Sequence, residues 1–206
     1  MPEIRNSDGS LQLQNTEAEI VSKLALELVT GYYAYASAIS IAMDERSDKL
    51  IPETLPDQLV PVGFVKSKGD PIGHIFDFQI YLEEARKNTF IIHQLDRVYL
   101  SGALLTLGDA LSKNHYFDKS PIIELLRHLR NGIAHGNKFN IEFPEKLLKF
   151  PAHDKVAKNH NPVNFEITPE LDGTNVLFDF MEPGDILNVF HQVGFHLNDL
   201  AYGMEK

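Results

Sequence analysis

Hydrophobic residues recur at a helical period near the start of the chain and predict a first helix from Thr16 to Met43. The apolar positions of that stretch are Val21, Leu24, Leu28, Tyr32, Tyr35, Ile39 and Met43. Thr16 is suited to cap this helix, and Glu19, three residues later, would complete a capping box. Residues 44–70 are rich in proline and glycine and predict a long irregular connection.

A second apolar-rich stretch predicts helix from about Pro71 to Lys113. Without a break it would be roughly 65 Å long at about 1.5 Å per residue, which is too long for a chain of this size. The sequence favours a break either near Asn88-Thr89 or at Gly102 and does not decide between them.

Ser120 and Pro121 predict the start of another helix, with serine as the cap and proline in the first helical position. Its buried stripe consists of Ile122, Leu126, Leu129 and Ile133. Gly136 is a natural end for this helix. Residues 137–162 are again typical of a loop.

Alternation of apolar and polar residues over 163–180, around Asp172-Gly173, predicts a β-hairpin. A last helix follows, with Ile186, Phe190, Val193, Leu197 and Leu200 on one face. The sequence therefore predicts a mainly α protein, a single domain over residues 1–206. It would be a bundle of four to five helices with a β-hairpin inserted before the last one.

Composition narrows the possible chemistry. The chain has no cysteine, which excludes disulfides and thiolate chemistry. A polar N-terminus and the lack of an uninterrupted apolar run of about 18 residues predict a cytoplasmic protein without a membrane segment.

The net charge of −10 disfavours nucleic acid as a partner, but residues 113–158 carry nine basic and five acidic residues. That local excess of positive charge predicts a face able to bind phosphate.

The residues that follow Ser120 carry the strongest candidate chemistry: S-P-I-I-E-L-L-R-H-L-R-N-G-I-A-H-G-N. Arg130 and His135 are separated by four residues, and Asn131 directly follows the arginine. This motif resembles the signature of the HEPN superfamily (higher eukaryote and prokaryote nucleotide-binding). It is most similar to HEPN-like families of plasmids and mobile elements with R-N-x-x-A-H-G.

The resemblance implies a HEPN-like helical bundle and a metal-independent endoribonuclease, in a toxin or defence role, in which Arg130, Asn131 and His135 are catalytic. An imidazole titrates near neutral pH and can transfer a proton. A guanidinium binds phosphate and stabilises charge on a transferring phosphoryl group. The 2′-hydroxyl of RNA would attack the neighbouring phosphorus and leave a 2′,3′-cyclic phosphate. Arg127 and Lys138 are the predicted additional contacts to RNA.

One histidine in each chain is insufficient for a reaction that needs both a base and an acid. On an ideal helix Arg130 and His135 would also lie about 140° apart. Both difficulties ease if the protein is a homodimer in which two copies of residues 126–138 form one cleft. The resemblance implies the same pairing, and it makes a cognate antitoxin a possible partner.

Two alternatives remain open at this stage. The protein could be a HEPN module that binds RNA or a protein without cleaving, or the three residues could serve only to end a helix. His191 and His196 are five residues apart on the last helix and do not share a face, so no metal site is predicted there. No cofactor is predicted either.

Overall fold

The computed structural model describes residues 15–51, 62–155 and 164–204. Within these residues the chain is mainly helical, with six α-helices, two short 3₁₀-helices and one antiparallel hairpin. The α-helices are α1 (Thr16–Met43), α2 (Phe78–Lys87), α3 (Phe90–Lys113), α4 (Pro121–Ala134), α5 (Glu145–Lys149) and α6 (Pro183–Ala201). The strands are β1 (Val62–Ser67) and β2 (Asp70–Asp77), and the 3₁₀-helices are Glu45–Leu50 and Pro169–Leu171.

The first helix has the predicted bounds, but its predicted cap is wrong. Asn15 caps α1, because its side-chain Oδ1 accepts a hydrogen bond from the backbone N–H of Ala18 at 3.2 Å. Thr16 is already the first helical residue. The break between α2 and α3 falls at Asn88-Thr89, and the other possible break, Gly102, lies inside α3.

The predicted hairpin at residues 163–180 is wrong. Residues 164–180, the described part of that range, contain no strand, because their two halves pair with other segments. Phe165 and Ile167 are bonded through their backbones to residues 152–154, whereas residues 173–176 are bonded to 137–139. The alternation reflects real burial of Phe165 and Ile167, at 8% and 3% exposure, in a segment that forms only an isolated antiparallel bridge with residues 152–154.

The hairpin of the fold lies earlier, in a region for which the sequence predicted an irregular connection followed by helix. Strands β1 and β2 are joined by a tight turn in which Gly69 has φ of 82°. Phe64 pairs with Ile75, and Gly63 pairs with Phe76. The ring of Phe76 lies directly over Gly63, in space that a larger residue would occupy. Helix therefore begins at Phe78 and not after Pro71.

The chain divides into two compact units, with α1 and α3 contributing residues to both. Unit 1 comprises residues 1–31 and 97–206 and contains the hydrophobic core. Fully buried leucines of α3 and α4 and the apolar stripe of α6 form this core. α1 joins it through close contacts with α6: the Ser22 hydroxyl donates to the Gly194 carbonyl at 2.7 Å, and the side chain of Leu26 lies against the same glycine.

Unit 2 comprises residues 32–96 and contains the second half of α1, the hairpin, α2 and the first turns of α3. Arg86 of α2 holds the C-terminal end of α1 by donating hydrogen bonds to the carbonyls of Ala42 and Asp44 and to the Ser47 hydroxyl. By length and composition alone, α1 could also cross a membrane. Core helices of soluble proteins share that property, so it assigns no location.

Candidate functional site

Helix α4 presents one polar face, formed by residues four apart in sequence. Arg127, Asn131 and His135 share this face because a spacing of four residues is close to one helical turn. The opposite side of α4 is buried and includes the predicted stripe Ile122, Leu126, Leu129 and Ile133. His135 is the C-terminal cap residue, and its backbone N–H donates to the Asn131 carbonyl at 3.0 Å.

This polar face forms one wall of an open cavity of about 260 Å³. The opposite wall comes from the segment after α4 and from α5, a short helix within the region predicted to be a loop. The lining residues are Arg127, His128, Asn131, His135, Asn140, Ile141, Glu142, Phe143, Lys146 and Leu147. Lys146 also lies over the ring of Phe143, with its Nζ 4.1 Å from the ring centroid. The cavity therefore combines fixed positive charge, imidazole and amide groups with an aromatic ring.

Arg130 lies outside this cavity. Its guanidinium donates two hydrogen bonds to Asp109 of α3, at 3.2 Å from Nε and 2.6 Å from Nη2. Its aliphatic part fills the space beside Gly108, where any larger residue would collide with it. Within one chain, the structure thus brings Asn131 and His135 together and places Arg130 on a different side of the helix, as the angular separation predicted.

Hydrogen bonds to Glu124 and His128 hold the Arg127 side chain at the wall of the cavity. The Glu124 carboxylate, whose residue is only 3% exposed, accepts a hydrogen bond from Nε of Arg127 at 2.7 Å. Nη2 of Arg127 lies 3.1 Å from Nε2 of His128. A guanidinium can only donate, so Nε2 of His128 must be the acceptor and the imidazole must be neutral, with its proton on Nδ1.

The pKa of His128 agrees with that assignment. Burial, and after it the positive charge of Arg127, together lower the pKa of this imidazole to about 4. His128 is therefore a neutral hydrogen-bonding group at neutral pH. It does not supply the second titrating histidine that acid–base cleavage needs.

Asn131 and His135 differ from His128 in their side-chain hydrogen bonding. Within the described part of the chain, neither side chain has a hydrogen-bond partner, and both line the cavity. Lys138 is exposed and does not line the cavity, so of the two predicted RNA contacts only Arg127 lies there.

The residues that follow His135 in the motif shape the backbone. Gly136 and Asn137 both have positive φ, 77° and 68°, and together they end α4. The buried Asn137 side chain accepts a hydrogen bond from the Leu177 N–H at 2.8 Å and donates to its carbonyl at 3.3 Å. Part of the H-G-N sequence is therefore explained by folding alone.

Sequence reasoning did not identify His128, Asn140 or Lys146 as members of the site. His128 had a usable signal, since it lies seven residues before His135 and two helical turns bring such residues onto one side. Asn140 and Lys146 had none, because they approach α4 only through the path of the chain after it.

Asp118, Ser120 and His196 also meet in space, but they do not form a catalytic triad. Both Ser120 Oγ and Asp118 Oδ2 approach the same ring nitrogen, Nε2 of His196, at 3.0 and 2.7 Å. A triad needs the serine on one ring nitrogen and the carboxylate on the other. Partial burial tends to raise the pKa of Asp118, but hydrogen bonds from His196 and the Ser120 backbone outweigh it and hold that pKa below its usual value. The cluster ties the start of α4 to α6.

A comparison with models of known protein families found no match, and comparisons with curated proteins and solved structures found no significant similarity.

Proposed function

We propose that the α4 cavity binds the backbone of single-stranded RNA and cleaves it without a metal ion. The observation that carries this proposal is the placement of Arg127, Asn131 and His135 on one open wall, with Lys146 opposite. A phosphate entering the cavity would meet two fixed cations, and a ribose hydroxyl would meet an imidazole. The resemblance of the motif to that of HEPN ribonucleases supports the same proposal.

In the proposed reaction, the 2′-hydroxyl forms a bond to the neighbouring phosphorus while the bond from phosphorus to the 5′-oxygen breaks. The products are a 2′,3′-cyclic phosphate and a free 5′-hydroxyl. His135 takes or returns the proton, Asn131 orients the imidazole or the phosphate, and Arg127 stabilises charge on the phosphate oxygens. Losing a proton-transfer group of this kind costs about 10²–10⁴-fold in rate.

A homodimer is part of this proposal. His128 is held neutral by Arg127, so one chain contributes a single histidine able to exchange a proton in the cavity. A two-fold contact between copies of residues 126–138 would supply the second histidine.

Binding without cleavage is the second candidate, and the pairing of both arginines favours it. Arg127 is already bonded to Glu124, and Arg130 to Asp109. A guanidinium so engaged has fewer N–H groups left to stabilise charge on a transferring phosphoryl group, whereas Lys146 remains as a cation that can attract the RNA backbone.

An RNA oligonucleotide and its fully 2′-deoxy counterpart separate the two candidates. The proposed enzyme cleaves the RNA and leaves the deoxy strand intact, because only ribose carries the attacking hydroxyl. A protein that binds both strands in a salt-dependent manner and cleaves neither is the noncatalytic module.

A further inference from the structure

Unit 2 has an unusual distribution of apolar side chains. Among its residues whose side chains the structure describes, none of the hydrophobic ones is buried, and the two buried residues are Ser47 and Gly63. Instead, ten large hydrophobic residues are exposed by 37% to 62%: Tyr33, Ile41, Phe64, Val65, Ile75, Ile80, Tyr81, Phe90, Ile91 and Leu95. Every element of the unit except the 3₁₀-helix contributes to this set.

In the hairpin, exposed apolar side chains from the two strands lie next to each other on one face. Phe64 and Ile75 are cross-strand partners and therefore project from the same face of the hairpin. They are 56% and 48% exposed. The opposite face carries Val65, which is 54% exposed, and Phe76, whose ring packs edge-to-face on Phe78 at 5.2 Å between centroids. A two-stranded hairpin is marginally stable in water unless something packs on it.

Helix α1 also has an exposed surface without charge, and this surface extends over several helical turns. No charged residue occurs between Leu28 and Met43, although exposed helix surfaces ordinarily carry charge. Tyr33, Ser37 and Ile41, spaced by four, form an exposed stripe on this stretch. In α3, Ile91 and Leu95 repeat that spacing.

The amount of apolar surface fits a protein interface. Aromatic residues bury about 150–250 Å² each when covered, and four of the ten residues are aromatic. The ten half-exposed side chains together therefore offer on the order of 1,000 Å² at most. A typical monomer has a largest apolar patch of about 300–600 Å², and a stable interface needs about 800 Å² from each partner. The described part of unit 2 thus lacks a core of its own and has enough apolar surface to build one with a partner.

We infer that a second copy of this chain covers the apolar surface of residues 32–96, so that two copies of unit 2 share one core. Interfaces of permanent homodimers are the most apolar class and are depleted of charge, like the α1 stripe. Because the described residues of unit 2 have no core of their own, a partner is needed at every moment, and another copy of the same chain provides it. Residues 32–96 carry ten acidic and six basic residues, and this negative balance disfavours an anionic membrane as the occupant.

The test measures the mass of the assembly by light scattering at micromolar concentration. Tyr33→Glu combined with Ile41→Glu places two charges in the stripe. The change should raise the dissociation constant by about 100-fold or more and halve the mass of the particle. A contact through residues 126–138 would not respond to these changes, so the result is independent of the proposed ribonuclease.

Cross-linking covers the case in which the double variant does not fold. The chain has no cysteine, so a single introduced thiol reports on one position. Ser37→Cys, in the stripe, should cross-link into a covalent dimer with a short bis-maleimide. Ser112→Cys, equally exposed on α3 in unit 1, should not.

The inference is overturned if wild type is monomeric, or if a folded double variant keeps the wild-type mass and Ser37→Cys cross-links no better than Ser112→Cys. It is equally overturned if the double variant does not fold and Ser37→Cys cross-links no better than Ser112→Cys. Monomeric wild type that floats with phosphatidylcholine vesicles would assign the surface to a membrane.

Discussion

At the scale of single residues, the two arginines of the motif region have different environments and should respond differently to substitution. Arg127 lines the cavity and neutralises a carboxylate that is 3% exposed, whereas the partner of Arg130 is a surface aspartate. The arginine that the motif emphasises is thus not the one that a single chain places beside His135.

We expect Arg127→Ala to destabilise the fold by about 2 kcal/mol, because Glu124 is left buried without a counter-charge. It should also weaken binding of single-stranded RNA about tenfold or more. Arg130→Ala should cost at most about 1 kcal/mol and leave RNA affinity within about twofold of wild type. Urea unfolding and fluorescence anisotropy measure the two quantities. Equal losses of affinity in the two variants would contradict the assignment of Arg127 to the cavity.

His128 makes stability depend on pH. Its pKa is about 4 in the folded chain and about 6.5 when unfolded, so the unfolded chain takes up a proton first as the pH falls. Stability should therefore fall between about pH 6.5 and pH 4, by about 2 kcal/mol once partial exposure is allowed for.

His128→Gln should flatten that part of the stability profile, because the glutamine carbonyl still accepts from Arg127 but does not titrate. Unfolding free energies measured from pH 4 to pH 7.5 check this. His93→Gln, at an exposed position on α3, is the control and should leave the slope unchanged. A His128→Gln protein with the wild-type slope would show that His128 is not held neutral.

At the scale of secondary structure, two helical glycines have opposite surroundings. Gly132 of α4 lies where a larger residue would collide with the Val176 side chain and approach the Lys138 carbonyl at 3.2 Å. Gly102 of α3 has no atom within 4 Å of the position that a Cβ would take.

Gly102→Ala should therefore stabilise the protein by about 0.5–1 kcal/mol, since alanine is the better helix former. Gly132→Ala should destabilise it by about 1–3 kcal/mol in spite of the same gain in propensity. Thermal unfolding followed by circular dichroism at 222 nm compares the two. Stabilisation by both changes would mean that α4 does not pack tightly on residues 138 and 176.

The long helices could largely be predicted from sequence, whereas α5 and the strands could not, for a physical reason. Helical periodicity is a local property, so the sequence predicts α1 with its observed bounds. The alternation around Phe165 and Ile167 correctly predicts that these two side chains are buried. It does not reveal which segment of the chain supplies their backbone hydrogen bonds. The path of residues 138–147, which completes the cavity, depends on Asn137 bonding to Leu177, a contact between residues 40 apart.

At the scale of the whole molecule, two surfaces are proposed to matter, and they can be tested separately. The α4 cavity belongs to unit 1, and the apolar surface belongs to unit 2. Tyr33→Glu with Ile41→Glu is directed at assembly, and His135→Ala is directed at chemistry. Cleavage that persists in a fully monomeric protein would show that one chain contains a complete active site.

The most direct test is the rate of RNA cleavage in excess EDTA by wild type, His135→Ala and His93→Ala. The proposal predicts that wild type and His93→Ala cleave single-stranded RNA at similar rates and leave a 2′,3′-cyclic phosphate. His135→Ala should be folded but slower by about 100-fold or more. Cleavage that requires an added divalent metal, or that proceeds at full rate without the His135 imidazole, would contradict the proposed mechanism.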